Sequence, residues 1–117
     1  MSYAVILTAT LFALLSVIAP TFVVASERVD VCAQYTNSGQ NYHVTAISTY
    51  GSELNGATHS FNYNSLSRYI VIFWAQNQAS VIDMGPIFSP SYIGSPGTDQ
   101  EGRPWSISAY SPVMCWP

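Results

Sequence analysis

Charge is what this sequence has least of. Asp, Glu, Lys and Arg make up 8% of its 117 residues, against roughly 25% in an ordinary soluble domain. Lysine is absent, and the three basic residues are Arg28, Arg68 and Arg103. Six acids against these three bases leave a formal net charge of -3. No basic patch can therefore neutralise phosphates and release counterions, which argues against a nucleic-acid partner. From Ser26 onward the surface must be covered by Ser, Thr, Asn, Gln and Tyr. Such a surface has little charge repulsion to keep chains apart. It suits a small secreted domain, and also a subunit that lives packed in an assembly or on a matrix.

Metal and catalytic signatures are equally thin. His43 and His59 are the only histidines, and no H-x-x-x-H or His/Cys cluster supplies the three or four converging ligands that zinc needs. No C-x-x-C redox pair and no G-x-S-x-G elbow are present. N-glycosylation sequons and internal repeats are lacking too. No cofactor and no metal are expected, and the chain does not read as an enzyme.

What is present begins with two cysteines. Cys32 opens the body and Cys115 stands near its end, an isolated pair that bridges in an oxidising compartment. The bridge closes a loop long enough to contribute about 4–5 kcal/mol in the chain-entropy model.

Residues 1–25 form a hydrophobic N-terminal segment, read as a helix that is either a signal peptide or a single transmembrane anchor. Tyr3 to Val24 is apolar apart from Thr8, Thr10, Ser16, Pro20 and Thr21. Small or compact residues at Val23 and Ala25 suit cleavage before Ser26, and Pro20 would leave the cut site extended. Against cleavage, Met1-Ser2 carries no Lys or Arg, and the run approaches the roughly 20 residues that span a bilayer. The preferred reading is export to the periplasm or the medium. The alternative is retention in the membrane through residues 3–24, with the C-terminal domain outside.

Residues 26–117 read as one disulfide-closed β domain. Its apolar residues follow period two rather than 3.6. Val29, Val31, Ala33 and Tyr35 alternate with polar residues and lead to an Asn37-Ser38-Gly39 turn. A second strand follows through Tyr42, Val44 and Ala46. Asn55-Gly56 predicts a type I′ hairpin, with Leu54 opposite Ala57, Tyr50 opposite Phe61, and Ser48 opposite Tyr63. Tyr69 to Ala75 is apolar on both faces, as a strand buried from two sides would be, and Gln76-Asn77-Gln78 turns it into Ala79–Met84. Three prolines make 85–97 a loop or ragged edge. Asp99-Gln100-Glu101-Gly102 predicts a solvated type I turn, followed by a last strand in two pieces, Trp105–Tyr110 and Val113–Trp116. The fold expected is all-β, a small antiparallel sandwich or barrel of about six to seven strands.

Among polar residues, Asp83 stands out because it ends an apolar strand where burial would raise its pKa. Its plainer role is to bond a turn amide or Arg103. Trp74 reads as core. The candidate partner or ligand surface is aromatic: Tyr92, Trp105, Tyr110 and Trp116, with Arg103 and Asp83. Rings with polar tips suit interfaces, and rings beside Asn, Gln and Asp suit sugars. The function expected is a non-enzymatic, exported binding or structural accessory module. Its partner would be a protein or a surface polymer in an extracytoplasmic assembly. The alternatives are a secreted inhibitor or immunity-like protein using the 85–97 loop as a rigid insert, and last a small hydrolase.

Overall fold

The computed structural model describes residues 26–116. The expectations for the hydrophobic N-terminal segment lie outside these residues. Within them the alternating pattern produces six strands: β1 Glu27–Tyr35, β2 Gln40–Tyr50, β3 Arg68–Ala75, β4 Gln78–Asp83, β5 Ser95–Thr98 and β6 Pro104–Ala109. Each is antiparallel to the next, and β6 returns to pair with β1, closing a barrel in the order β1-β2-β3-β4-β5-β6. Of the two all-β expectations, the barrel is the one formed.

Closure removes sheet edges and splits each strand by period two into an inner and an outer set. Val31, Ala33, Ala46, Ile70, Ile72, Ile82, Trp105 and Ile107 form the inner set, joined by Met84 from the following loop. The register stacks them across strands, with Ala33 opposite Ile107, Ile70 opposite Ile82, and Val31 flanked by Val44 and Ala109. Eight strands leave an interior just wide enough for side chains; here six enclose Val31, Ala33, Ile70, Ile72, Ile82 and Ile107 with no exposed surface.

The Asn55-Gly56 hairpin does not form. Residues Gly51–Thr58 are instead a short helix, α1, and the strand that follows β2 in the sheet is β3, with Tyr50 opposite Arg68, Thr49 opposite Tyr69 and Ser48 opposite Ile70. Phe61, expected to pair with Tyr50, is 99% exposed. Two interactions outweigh the local turn preference. The Asn55 side chain donates to Tyr63 O at 2.9 Å and accepts from Tyr63 N at 3.0 Å, holding the 59–63 loop. The backbone N–H of Gly51 donates to Ser67 O at 2.9 Å, which brings the chain back to β3.

The two-sided burial expected for β3 holds for its first half. Tyr69 to Ile72 are buried, whereas Phe73 is exposed. The outer side chain of Val71 lines, with Leu54 and Ala57 of α1 and Ser26, a small and mostly apolar groove.

Cys32 and Cys115 are bonded. The chain around Cys115 is turn rather than the expected Val113–Trp116 strand. The Cys115 and Met114 backbone N–H groups both donate to Ser111 O. Pro112 has no N–H to give a ladder, so the segment folds as a turn and the disulfide fastens it to the outer face of β1. Such a bond points to an oxidising, extracytoplasmic compartment. Among the described residues no helix is long and apolar enough to cross a membrane.

Candidate functional site

The β1–β2, β3–β4 and β5–β6 turns all lie at one end of the barrel, and that mouth is closed by aromatic rings rather than aliphatic side chains. Tyr35 packs on Trp105 with ring centroids 5.2 Å apart, Trp105 on Trp74 at 5.8 Å, and Trp74 edge-on to Tyr42 at 5.2 Å. Trp105 is buried at 7% exposure, but Trp74 keeps 37% and so is not the core residue expected. The register of β3 against β4 shifts between Phe73 and Ala75. A bulge of this kind re-aims the side chain it carries, and here it turns Trp74 toward the mouth. Asn77, at φ 64°, makes the tight return into β4.

The polar frame of the mouth comes from the β5–β6 turn. Gly102, at φ 77°, and the Gly102 N–H donated to Asp99 O at 3.0 Å give the expected turn. Asp99 is not solvated, however. It is 5% exposed and its carboxylate accepts four hydrogen bonds. Oδ1 receives the backbone N–H groups of Glu101 and Arg103, each at 2.9 Å; Oδ2 receives Arg103 Nε at 2.8 Å and Trp105 Nε1 at 3.0 Å. Burial pushes the Asp99 pKa up, but the bonds from Trp105, Arg103 and Glu101 outweigh it and hold the carboxyl below its ordinary 3.8. The bond to Asp99 likewise raises Arg103 above its ordinary value, so both stay charged.

Gln100 closes the wall between β4 and the turn. β5 pairs with β4 through a single residue pair, Asp83 with Thr98. Beyond it the Gln100 carboxamide accepts from Val81 N at 2.8 Å and donates to Ala79 O at 2.7 Å. One side-chain amide thus stands in for a peptide unit of the missing strand.

Above this frame lies a pocket of about 460 Å³, lined by Trp74, Asn77, Gln78, Gln100, Glu101 and Arg103 among others. Arg103 and Trp105 are the two candidate residues that the structure brings together. The other four lie elsewhere. Asp83 sits on the outer face, accepting from Gly85 N at 2.9 Å and Tyr69 OH at 3.3 Å; it bonds the turn amide, not Arg103. Burial, reinforced by Asp83, raises the Tyr69 pKa, with the Asn64 N–H opposing. Tyr92 lies with Met114 beside Cys32 on the outer face of β1 and β6. Tyr110 stacks flat on His43 at 3.4 Å. Trp116 exposes its ring while its carbonyl accepts from Asn41 at 2.6 Å.

His43 also bonds Asp30 at 2.8 Å. The residue opposite it is Cys32, whose sulfur is committed to Cys115, so this pair has no thiol to activate. His59, the left-handed cap of α1, is on another element. Among the described residues no three His, Cys, Asp or Glu side chains gather as a metal site.

The mouth residues Trp74, Asp99, Gln100, Asn77 and Gln78 were legible only as core or turn. A bulge and a turn carboxylate folded inward leave no mark on periodicity. Comparison with protein families, curated proteins and solved structures finds no match.

Proposed function

We propose that the protein is a non-enzymatic, extracytoplasmic binding module that presents the barrel mouth to its ligand and works as an accessory part of a larger assembly. The observation that carries this reading is the pocket at the mouth, open above a ring already fixed in place. Barrel mouths are favoured positions for small-molecule sites, in which a few placed polar groups orient the ligand. Trp74 is held from two sides, by the Trp105 face and by its own N–H donated to Ser80 Oγ at 2.9 Å, so little ordering remains to oppose binding. The disulfide and the low charge agree with service outside the cytoplasm, packed against other molecules.

The test is a nuclear magnetic resonance titration of the protein, purified as the expressing cell leaves it, against a library of sugars, amino acids, short peptides and organic cations. Shifts confined to Trp74, Asn77, Gln78 and Arg103 are expected. Measurable turnover, or ligands that map only elsewhere, would overturn the reading. Mass spectrometry of the same preparation separates its two residences. A chain starting at Ser26 is secreted or periplasmic; one retaining Met1 or Ser2 is anchored through residues 3–24.

A second reading, an inhibitor acting on an extracytoplasmic enzyme, draws support from the loop after β4. Phe88 packs against the core and Ser91 O accepts from Ala109 N, while Ile87 and Ile93 stand exposed on either side of these ties. A tethered loop with outward apolar side chains is what such an insert needs. Replacing Ile87 and Ile93 with Ser would abolish inhibition and leave the mouth site intact.

A further inference from the structure

We infer that the mouth binds an uncharged carbohydrate, a short oligosaccharide whose pyranose ring lies flat on Trp74; this rests on the mouth being the ligand site.

The indole N–H groups of Trp74 and Trp105 are both spent inside the protein, on Ser80 and Asp99. Trp74 therefore offers ligand only its ring surface, and Trp105 is covered. A flat apolar surface bordered by polar groups complements a sugar ring, whose axial hydrogens form an apolar face and whose hydroxyls point out around its rim. Hydroxyls both donate and accept, and the border supplies both kinds of partner. The carboxamides of Asn77 and Gln78 carry N–H donors and carbonyl acceptors, and Glu101 adds an acceptor.

Charge narrows the class further. Arg103 is neutralised by Asp99 at 2.8 Å and lies 3.6 Å from Glu101. The three groups together carry one negative charge, which disfavours sulfated, phosphorylated or carboxylated ligands. Organic cations fit less well. Recognition of quaternary ammonium groups uses a cage of several rings, whereas among the described residues only Trp74 lines the open pocket with an appreciably exposed ring. Asp99, with four donors already on it, has no place left for a fifth. Apolar ligands meet a border made of amides and charged groups.

The probes are neutral oligosaccharides of the β-1,4-glucose, β-1,4-N-acetylglucosamine and α-1,4-glucose series. A heparin-derived fragment and tetramethylammonium serve as the charged comparators. Tryptophan fluorescence and calorimetry report binding to the full chain. One neutral series should saturate the protein and hold its affinity as salt rises, since no ion pair forms. Trp74→Ala should weaken it by about tenfold or more, Trp74→Tyr should restore part of that, and Asn77→Ala and Gln78→Ala should each cost roughly threefold. Asn77 is an exposed turn residue and Gln78 the exposed first residue of β4, so their variants keep the test open if Trp74→Ala unfolds the barrel. A mouth that takes only tetramethylammonium or the heparin fragment overturns the carbohydrate assignment and leaves the binding site standing. Sugar binding unaffected by all four substitutions overturns the carbohydrate assignment at this site. No response at the mouth to any probe or library member overturns both.

Discussion

The indole N–H of Trp105 donates to the buried carboxylate of Asp99 at 3.0 Å, and this bond joins the β5–β6 turn to the aromatic floor of the mouth. Trp105, the second residue of β6, lies opposite Tyr35, so the same contact fixes the strand pair that closes the barrel. Asp99→Ala would strip four donors of their acceptor, two of them backbone N–H groups. Leaving buried polar groups unpaired is costly, whereas the half-exposed Arg103 guanidinium turns to water. The expected loss is about 2–4 kcal/mol in urea denaturation, with the tryptophan fluorescence maximum moving to the red as Trp105 becomes exposed.

The same carboxylate sets an acid limit. Its pKa is lower folded than unfolded, so below the ordinary carboxylate value the unfolded chain binds more protons and stability rises with pH. The contribution of Asp99 is therefore complete above about pH 4–5 and lost as pH falls through the folded value. Stability measured between pH 2 and 6 should show this slope in the natural protein. In Asp99→Asn, which has no proton to gain at that position, the curve should be flatter. Equal slopes in the two proteins would contradict the assignment.

Two glycines distinguish the helix seen from the hairpin expected. Gly56 lies in α1 with open space around its Cα. Gly56→Ala should stabilise the protein by roughly 0.5–1 kcal/mol through helix propensity and a stiffer unfolded chain; in a type I′ turn the same change would destabilise. Gly51 is the opposite case. A Cβ there would stand 1.8 Å from Asn64 O, and Gly51→Ala should cost about 1–3 kcal/mol or more, as overpacking does. Paired thermal melts of the two variants read both signs.

Strands were legible from their apolar patterning. β1 follows from the alternation through Val31 and Ala33, and the β3–β4 pair from the continuous apolar run through Ile70 and Ile72 turned back at Gln76–Gln78, because both patterns are properties of the sequence itself. The disulfide was legible from isolation of its two cysteines. The Asn55-Gly56 signal misled because it is local, whereas the competing contacts of Asn55 with Tyr63 and of Gly51 with Ser67 depend on the whole fold. Position at the mouth was hidden for the same reason. Trp74 looks like core until a bulge re-aims it, and Asp99 looks solvated until Trp105 and Arg103 close over it. Trp105 was found as a candidate because polar-tipped rings suit interfaces, and Arg103 as its neighbour.

The bond between Cys32 and Cys115 spans 83 residues of sequence and fastens a turn, not a strand, to β1. Its contribution therefore comes mainly from restricting the unfolded chain, about 4–5 kcal/mol in the chain-entropy model. That is a large part of a typical stability of about 5–15 kcal/mol. Cys32→Ser with Cys115→Ser should lower the urea midpoint accordingly. Spectra of the mouth aromatics should remain native in the variant where it is folded, because the ring stack lies on other residues.

Gln100 offers the sharpest separation of two chemically close variants. Its carboxamide accepts from Val81 N and donates to Ala79 O, filling one peptide's place beside β4 where β5 has already ended. Gln100→Ala exposes both backbone groups to water; the expected cost is about 0.5–1.5 kcal/mol, with faster hydrogen exchange at the Val81 amide. Gln100→Glu keeps the length and one acceptor, so the Val81 bond can persist. Its second oxygen, however, would face the carbonyl of Ala79 with no proton between them. The glutamate variant should therefore be less stable than the alanine variant near neutral pH and should recover as pH falls and the carboxyl gains a proton to donate. If Gln100→Glu were instead as stable as the natural protein at pH 7, the carboxamide could not be closing this seam as a peptide surrogate.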